Sequence, residues 1–297
     1  MQLSHLRAFL AASRTHNIAR AAESLHLTPS PVSRTLRQLE QELGVQLFER
    51  RYHELAPTDA GRDLLPRVVE ILSLVDDLVV PADRPRAIRV GCTPWAPARY
   101  IERVREAMHQ HDEPLSTVTE AMSSTLLVPL AHGDLDLAVV HLPVDLPGVS
   151  VRPLARYQFY AFSSADSGLP ETTIHLSELA GRRGLTLPSA LQPAPMEELV
   201  ASARNAGLDM HEIDFAQLVM LESLLRGEQA VLLCNAPPDT PLWPMLSRGN
   251  LIRTPLDLDD IHFELGLVWR TADSLRGDRI RALVEHVHPS DKPAEVV

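Results

Sequence analysis

The chain has 297 residues, enough for two or three domains, and 45% of them are apolar, so it can bury a sizeable core. No apolar run reaches the roughly 18–20 residues that span a bilayer, and Arg7 and Arg14 interrupt the stretch where a signal peptide needs an apolar segment. Cys92 and Cys234 lie far apart in sequence and suggest no disulfide framework. These features predict a cytoplasmic protein without a membrane partner.

Charge is divided unevenly along the chain. The formal net charge of −11, taken alone, argues against a nucleic-acid partner. Residues 1–62 carry eight arginines and six carboxylates, however, whereas the remaining residues carry 20 cations and 33 carboxylates. A mildly basic head on an acidic body indicates two functions in one chain.

Residues 1–58 are predicted to form three helices followed by a short hairpin. Asn17 is a good N-cap for the second helix, and Thr28 is the predicted N-cap of the third. Gly44 is placed to end the third helix in a left-handed conformation. The stretch VQLFERRYHELAP then has two short extended segments around a charged tip, which is typical of a β-hairpin wing.

The third predicted helix has an outward face that is uncharged or positive. Its apolar stripe, at about 100° per residue, consists of Val32, Leu36, Leu39 and Leu43. The opposite ridge consists of Ser30, Arg34, Arg37 and Gln41. Such side chains can bond base edges and phosphates in the major groove of double-stranded DNA, and prolines are tolerated in the first turn of the helix. Taken alone, the helix also fits an amphipathic helix with a solvated arginine face.

Residues 59–80 are predicted to form a helix that pairs with a second copy. Apolar residues recur there in alternating steps of four and three, which is the period of a self-pairing seam. The seam consists of Leu64, Val68, Ile71, Val75 and Leu78. Residues 81–86, PADRPR, break helicity and are predicted to form a hinge.

The remainder, residues 87–297, alternates short apolar strands with helical patterns. The strands are AIRVGC, LDLAVV, FYAF, LTL, AVLLC and ELGLVW. This βα alternation predicts an α/β domain with a mostly parallel sheet.

The N-terminal block resembles the LysR-type transcriptional regulators. The resemblance rests on FLAASRTHNIARAAESLHLTPSPVSRTLRQLEQELGVQLFERR followed by TDAG. It continues more loosely through GDLDLAVV, LLRG and NLIRTPL…LGLVWR, so it covers nearly the whole chain. The resemblance implies an α/β chain with an N-terminal winged helix-turn-helix at 1–58, a dimerising linker helix at 59–80, and a two-lobed, periplasmic-binding-protein-like effector domain at 87–297. Lobe I would span about 87–161 and 266–297, and lobe II about 162–265.

The resemblance also implies which residues contact DNA. The positions carried over are Ser30, Pro31, Ser33, Arg34 and Arg37 in the third helix, with Arg50, Arg51 and His53 in the wing. Pro29-Ser30 stands where the family often has Gln-Pro, so the target sequence does not transfer. Pro57 replaces a usual leucine and should shorten the second strand of the wing.

Ligands of two-lobed α/β domains lie at the carboxyl ends of strands, beside helix N-termini. Thr93-Pro94-Trp95 and Ser123-Ser124-Thr125 occupy such places and match where the family binds effectors. Their hydroxyl and N–H groups suit a carboxylate or another small anion, although ordinary helix capping is the alternative. On a weaker match, lobe II would contribute Pro188, Phe215 and Asn235.

Three other interpretations concern chemistry outside this scheme. Cys92 and Cys234 could form an oxidant-sensing pair, although buried thiols are commoner. His109, His111 and Asp112 could ligate a metal, but convincing third and fourth ligands are lacking, so neither a metal nor a cofactor is expected. No phosphate loop, GxSxG, HExxH or paired CxxC motif is present, so we do not expect an enzyme.

The sequence therefore predicts a sequence-specific DNA-binding transcriptional regulator that responds to a small-molecule effector and assembles as a homodimer or homotetramer. The alternative is a small-molecule-binding or catalytic α/β protein whose N-terminal helices only dimerise.

Overall fold

Three helices and a hairpin form the N-terminal head in the computed structural model. They are α1 (Leu3–Thr15), α2 (Ile18–Ser24), α3 (Pro29–Leu43), β1 (Phe48–Arg51) and β2 (Glu54–Pro57). The structure describes residues 1–51, 54–78, 87–94, 96–188, 193–214, 217, 220–227, 229–235, 240, 242–247, 250–258, 261, 263–271 and 275–287. The predicted order of elements in the head is confirmed.

The three residues predicted to end or begin helices in the head occupy those positions. The Asn17 side chain accepts the backbone N–H groups of Ala19 and Arg20, at 2.8 and 3.2 Å. Gly44 ends α3 with φ of +70°. Thr28 is the N-cap residue of α3, as predicted, although its side chain makes no capping hydrogen bond.

The apolar stripe of α3 is shorter than predicted. Val32, Leu36 and Leu39 are buried in the core of the head. Leu43 is 39% exposed, because it lies in the last turn of α3 and packs outside that core.

The helix after the wing, α4 (Asp59–Asp77), corrects the predicted seam. Val68 and Leu72 are buried in the core of the head, where α4 packs against α1, so they cannot face a second copy. The exposed apolar side chains are instead Ile71 and Leu74 in α4 and Leu78 directly after it. Residues 79–86, with the predicted hinge, lie outside the described residues.

The rest of the chain forms two mixed sheets. The first has the order β4 (Leu115–Glu120), β3 (Ile88–Cys92), β5 (Leu137–Leu142), β13 (Phe263–Arg270) and β6 (Val149–Tyr157). The second has the order β10 (Asp209–Glu212), β9 (Arg183–Thr186), β11 (Val231–Cys234), β7 (Tyr160–Ser164), β12 (Leu251–Asp257) and β8 (Ile174–His175). The helices around them are α5 (Ala98–Gln110), α6 (Ser123–Ala131), α7 (Pro193–Asn205), α8 (Leu221–Gly227), α9 (Trp243–Leu246) and α10 (Leu275–His286).

The expectation of a mostly parallel sheet holds only for part of each lobe. β3 is parallel to β4 and β5, and β9 is parallel to β10 and β11. β13 and β7, however, run antiparallel to both of their neighbours in the central part of each sheet. The chain leaves lobe I directly after β6 to form β7 and returns after β12 to form β13, and these two crossings supply the antiparallel strands. Within the described ranges, no helix combines the length and apolar character that crossing a membrane requires.

A buried ion pair holds the turn between α6 and β5. Asp136 is fully buried and lies 3.0 Å from Arg89 Nη2 and 3.3 Å from Arg270 Nη2. The same two arginines donate to the carbonyl groups of Gly133 and Leu135, at 2.5 Å each. Because both guanidinium groups bond carboxylate and backbone together, this turn is fixed to lobe I.

Candidate DNA-binding surface and ligand cleft

The outward face of α3 presents polar side chains that the fold itself does not use. Ser30, Pro31, Arg34 and Arg37 are exposed, and Ser33 is half-buried. Arg34 and Arg37 form no hydrogen bond or ion pair with any residue that the structure describes. An exposed arginine without an intramolecular partner keeps all of its N–H donors available for an anionic partner.

Contacts at both strands fix the hairpin wing to the three helices. The Glu40 carboxylate, on the flank of α3, accepts the backbone N–H groups of Leu47 and Phe48, at 2.9 and 3.2 Å. Leu55 in β2 donates its backbone N–H to the carbonyl of His16 at 2.9 Å. The wing is therefore held in one position relative to α3.

The wing residues predicted to contact DNA are only partly described. The backbones of Arg50 and Arg51 lie in β1, opposite Leu55 and Glu54. Their side chains, and His53 as a whole, lie outside the described residues.

Polar groups of lobe I meet at the carboxyl ends of its parallel strands. Thr93 follows β3 directly, and its hydroxyl is buried without a hydrogen-bond partner among the residues that the structure describes. Ser123 is buried at the start of α6, whereas Ser124 and Thr125 are exposed. The backbone N–H groups of Ser123 and Ser124 have no acceptor in the described part of the chain. N–H groups in the first turn of a helix have no acceptor within that helix, and these two lie at the positive end of the helix dipole.

The first turn of α6 contains no side-chain cap. Met122 is the N-cap residue, so none of the three hydroxyl groups that follow is in the capping position. The interpretation of Ser123-Ser124-Thr125 as ordinary capping is therefore not supported.

His141, at the end of β5, was missed by sequence reasoning. Its backbone N–H donates to Ser123 Oγ at 3.1 Å, and its Nδ1 lies 3.2 Å from the same oxygen. Burial lowers the pKa of His141 to about 3, so the ring is neutral near pH 7. If the Ser123 hydroxyl donates to Nδ1, the ring carries its proton on Nε2. A polar residue directly after the apolar run LDLAVV was the available signal.

Lobe II places its predicted residues at a matching edge. Pro188 lies just past β9 and Asn235 just past β11, and both are half-buried. Because β9 and β11 are parallel neighbours, these two residues share one edge of the second sheet. Met122, beside Ser123, packs against the lobe II core cluster that contains Leu187 and Cys234. The start of α6 therefore faces this edge. Trp95 and Phe215 lie outside the described residues.

Both cysteines are buried free thiols. Burial, with a smaller contribution from Glu120, raises the pKa of Cys92 to about 12, and burial also raises the pKa of Cys234. Because the thiolate is the reactive form, these environments favour the interpretation as packing residues over oxidant sensing.

One of the histidines near the end of α5, His111, contacts a histidine in α10 that the sequence did not indicate. His111 Nε2 lies 2.9 Å from His286 Nδ1 in α10. In the described part of the chain, no group of three or more His, Cys, Asp or Glu side chains is arranged to hold a metal.

Two family models match the chain. Residues 3–62 match the bacterial regulatory helix-turn-helix protein model of the lysR family, and residues 82–291 match the LysR substrate binding domain. The transcriptional regulator CatR of Pseudomonas putida is 28% identical over 225 residues, which cover 73% of this chain and 76% of CatR.

Solved structures of full-length proteins share the fold. Full-length OxyR from Pseudomonas aeruginosa has a TM-score of 0.59 at 20% identity, covering 97% of this chain and 94% of that one. Full-length CbnR in complex with its target DNA has a TM-score of 0.52 at 19% identity, covering 97% and 99%.

Proposed function

Because the chain belongs to the LysR family of DNA-binding transcriptional regulators, we propose that α3 and the wing contact DNA and that a small anion bound between the lobes regulates this contact. The family consists of regulators rather than enzymes, so a catalytic α/β protein is not the interpretation that we retain.

The observation that carries the DNA proposal is the unpaired face of α3. Val32, Leu36 and Leu39 anchor the helix in the head, which leaves Arg34 and Arg37 exposed on the opposite side. A helix presented in this way enters the major groove, where arginine bonds guanine edges or phosphates. CbnR, which shares this fold, has been solved on its target DNA. Ser30, Pro31 and Ser33, and from the sequence Arg50, Arg51 and His53, complete the proposed surface.

Binding to DNA as a function of salt tests this proposal. If α3 and the wing contact phosphates, the logarithm of the association constant falls linearly with the logarithm of salt concentration. Fluorescence anisotropy with a labelled duplex, selected by the full-length protein from a random-sequence library, measures this slope. Failure to select or retain any duplex would instead favour an α/β protein whose N-terminal helices only dimerise.

The proposed effector is a small, partly apolar molecule with one negative charge. The Thr93 hydroxyl, the N–H groups of Ser123 and Ser124 and the neutral His141 ring offer hydrogen bonds, and none of these groups is a cation, so they suit one carboxylate rather than two. Ser124, Thr125 and Pro94 on the lobe I side, and Pro188 and Asn235 on the lobe II side, border the same region, with Trp95 and Phe215 added from the sequence.

Thermal-shift screening of small monocarboxylates tests the cleft, since a ligand that binds only the folded state raises its stability. We expect Ser123→Ala and Thr93→Val to reduce the shift and leave unliganded DNA binding intact. A carboxylate that stabilises the variant with both substitutions as strongly as it stabilises the wild type would mean that the site lies elsewhere.

Self-association is proposed to use the exposed apolar face of α4. Ile71, Leu74 and Leu78 recur in steps of three and four on one side of the helix. Pairing of this face with a second copy would bury it and give a dimer, or a tetramer built from two dimers.

A further inference from the structure

One arginine of the head contacts the turn that ends α6. Arg14, in the last turn of α1, donates from Nη2 to the carbonyl of His132 at 2.8 Å and to the Asp134 carboxylate at 2.7 Å. More than 100 residues separate these partners in the sequence. Arg14 and Asp134 are both partly exposed, so the ion pair contributes little to folding stability on its own, and its geometry is the informative feature.

The linker helix contacts the same turn. Gly133 lies between His132 and Asp134, and a Cβ atom at that position would lie 2.6 Å from Val69 Cγ1 in α4. The turn is therefore in contact with the head through Arg14 and with the linker helix through Val69. Arg89, Arg270 and Asp136 fix the turn to lobe I from its other side.

The opposite end of α6 lies at the proposed effector cleft. Ser123, its first residue, bonds His141 at the end of β5, and Met122 packs against lobe II. The helix between the two ends has only nine residues, about 13 Å at 1.5 Å per residue, and Leu126 and Leu130 are buried along it. A short helix with a buried face moves as a unit, because its packing does not deform continuously.

We propose that Arg14 is a positioning residue that sets the orientation of the DNA-binding head according to the position of α6, and hence according to occupancy of the cleft. This inference rests on the proposed function. A ligand that draws lobe I and lobe II together would move α6 and the turn at 132–134 as part of lobe I, and Arg14 would move with that turn. Coupling between two sites is reciprocal: if a ligand in the cleft alters the head, DNA bound to the head must also alter α6 and its local stability.

Hydrogen exchange tests this coupling without a known effector. The full-length protein is measured free and saturated with the duplex that it selects from a random-sequence library. In the wild type, we expect bound DNA to change the amide exchange of residues 121–136. Arg14→Ala and Asp134→Ala, which remove opposite ends of the ion pair, should each lose this change although they still bind the duplex.

Two variants separate positioning from a general effect on folding. Arg14→Lys keeps the charge opposite Asp134 and should retain the exchange response. Arg7→Ala removes an exposed arginine from the same helix, seven residues earlier, and should respond like the wild type. A DNA-bound wild type with unchanged exchange at 121–136, or an Arg14→Ala variant that responds like the wild type, would overturn the inference. If no duplex is selected, the DNA-binding proposal itself fails, and the inference fails with it.

Discussion

Ser123 Oγ accepts the backbone N–H of His141 at 3.1 Å and lies 3.2 Å from the Nδ1 atom of the same residue. This double contact joins the first turn of α6 to the end of β5. The neutral imidazole of His141 and the buried hydroxyl of Thr93, which has no hydrogen-bond partner among the described residues, both lie at the carboxyl edge of the sheet. In the described part of the chain this edge is polar and buried but only partly satisfied by hydrogen bonds, which supports the proposal that a ligand binds there.

Thr93→Val should leave the unliganded protein as stable as the wild type, or more stable by up to about 1 kcal/mol. The substitution removes a buried hydroxyl that has no partner in the described part of the chain and replaces it with a methyl group of similar size. Urea unfolding of the unliganded protein measures the difference.

Thr254→Val is the matched control for this change. Thr254 is equally buried, but its hydroxyl donates to the carbonyl of Pro170 at 2.5 Å. Losing that bond should cost about 1–3 kcal/mol. Equal destabilisation by the two substitutions would show that the Thr93 hydroxyl is satisfied in the unliganded protein.

His141 should make the folded protein less stable in mild acid. Burial lowers its folded-state pKa to about 3, below the ordinary value of 6.5, so the unfolded chain binds the proton more readily. The contribution of neutral His141 to the free energy of unfolding is fully present above about pH 6.5 and is lost progressively as the pH falls toward 3. Between about pH 7.5 and pH 5.5, the free energy of unfolding should fall by about 1.4 kcal/mol more in the wild type than in His141→Gln. Parallel pH profiles of the two proteins would show that His141 is not the group responsible.

Arg34→Ala should weaken binding to the selected duplex by about 1–3 kcal/mol if the arginine contacts a base. Arg51→Ala should weaken binding to all sequences alike and reduce the salt slope by about 1, because a phosphate contact carries no sequence information. Competition gel shifts with selected and scrambled duplexes distinguish the two effects. Unchanged binding of Arg34→Ala would remove this residue from the proposed surface.

Replacing both Ile71 and Leu74 by glutamate should yield monomers that bind DNA poorly. These side chains are 38% and 42% exposed on α4, and unpaired charges in a self-associating apolar face oppose its burial. Multi-angle light scattering at micromolar concentration measures the mass. Leu27→Glu, at a leucine that is 53% exposed in the head, should leave the mass unchanged. A monomeric wild type would contradict the assignment.

Gly133→Ala should destabilise the protein more than Gly168→Ala does. Both glycines have positive φ, +75° and +73°, so each substitution carries a similar backbone strain of about 1–2 kcal/mol. Only at Gly133 would the new methyl group meet Val69, at 2.6 Å, whereas the space at Gly168 is open. The excess should be about 1–3 kcal/mol and should shrink when Val69→Ala is combined with Gly133→Ala. An equal loss in the free energy of unfolding for the two glycine substitutions would mean that Val69 in α4 does not pack closely against this turn.

The head could be predicted from sequence because its signals are local. The N-cap at Asn17, the left-handed end at Gly44 and the spacing of Val32, Leu36 and Leu39 each concern residues within a few positions of one another. Those signals determine where helices begin and end and which face is buried. They also identified the outward face of α3, since a face that does not serve the core is left to solvent or to a partner.

The sequence could not determine which element covers an apolar face or which residues meet across the fold. The heptad spacing of α4 was correct as a pattern, yet Val68 and Leu72 pack inside the head, whereas Ile71, Leu74 and Leu78 are exposed among the described residues. Other features also depend on how distant segments come together. They are the antiparallel pairing of β7 and β13, the contact of Ser123 with His141 and the contact of Arg14 with Asp134. The periodicity of apolar residues indicates which face of an element is apolar, but not which element packs against that face. The packing partner is determined only by the tertiary structure.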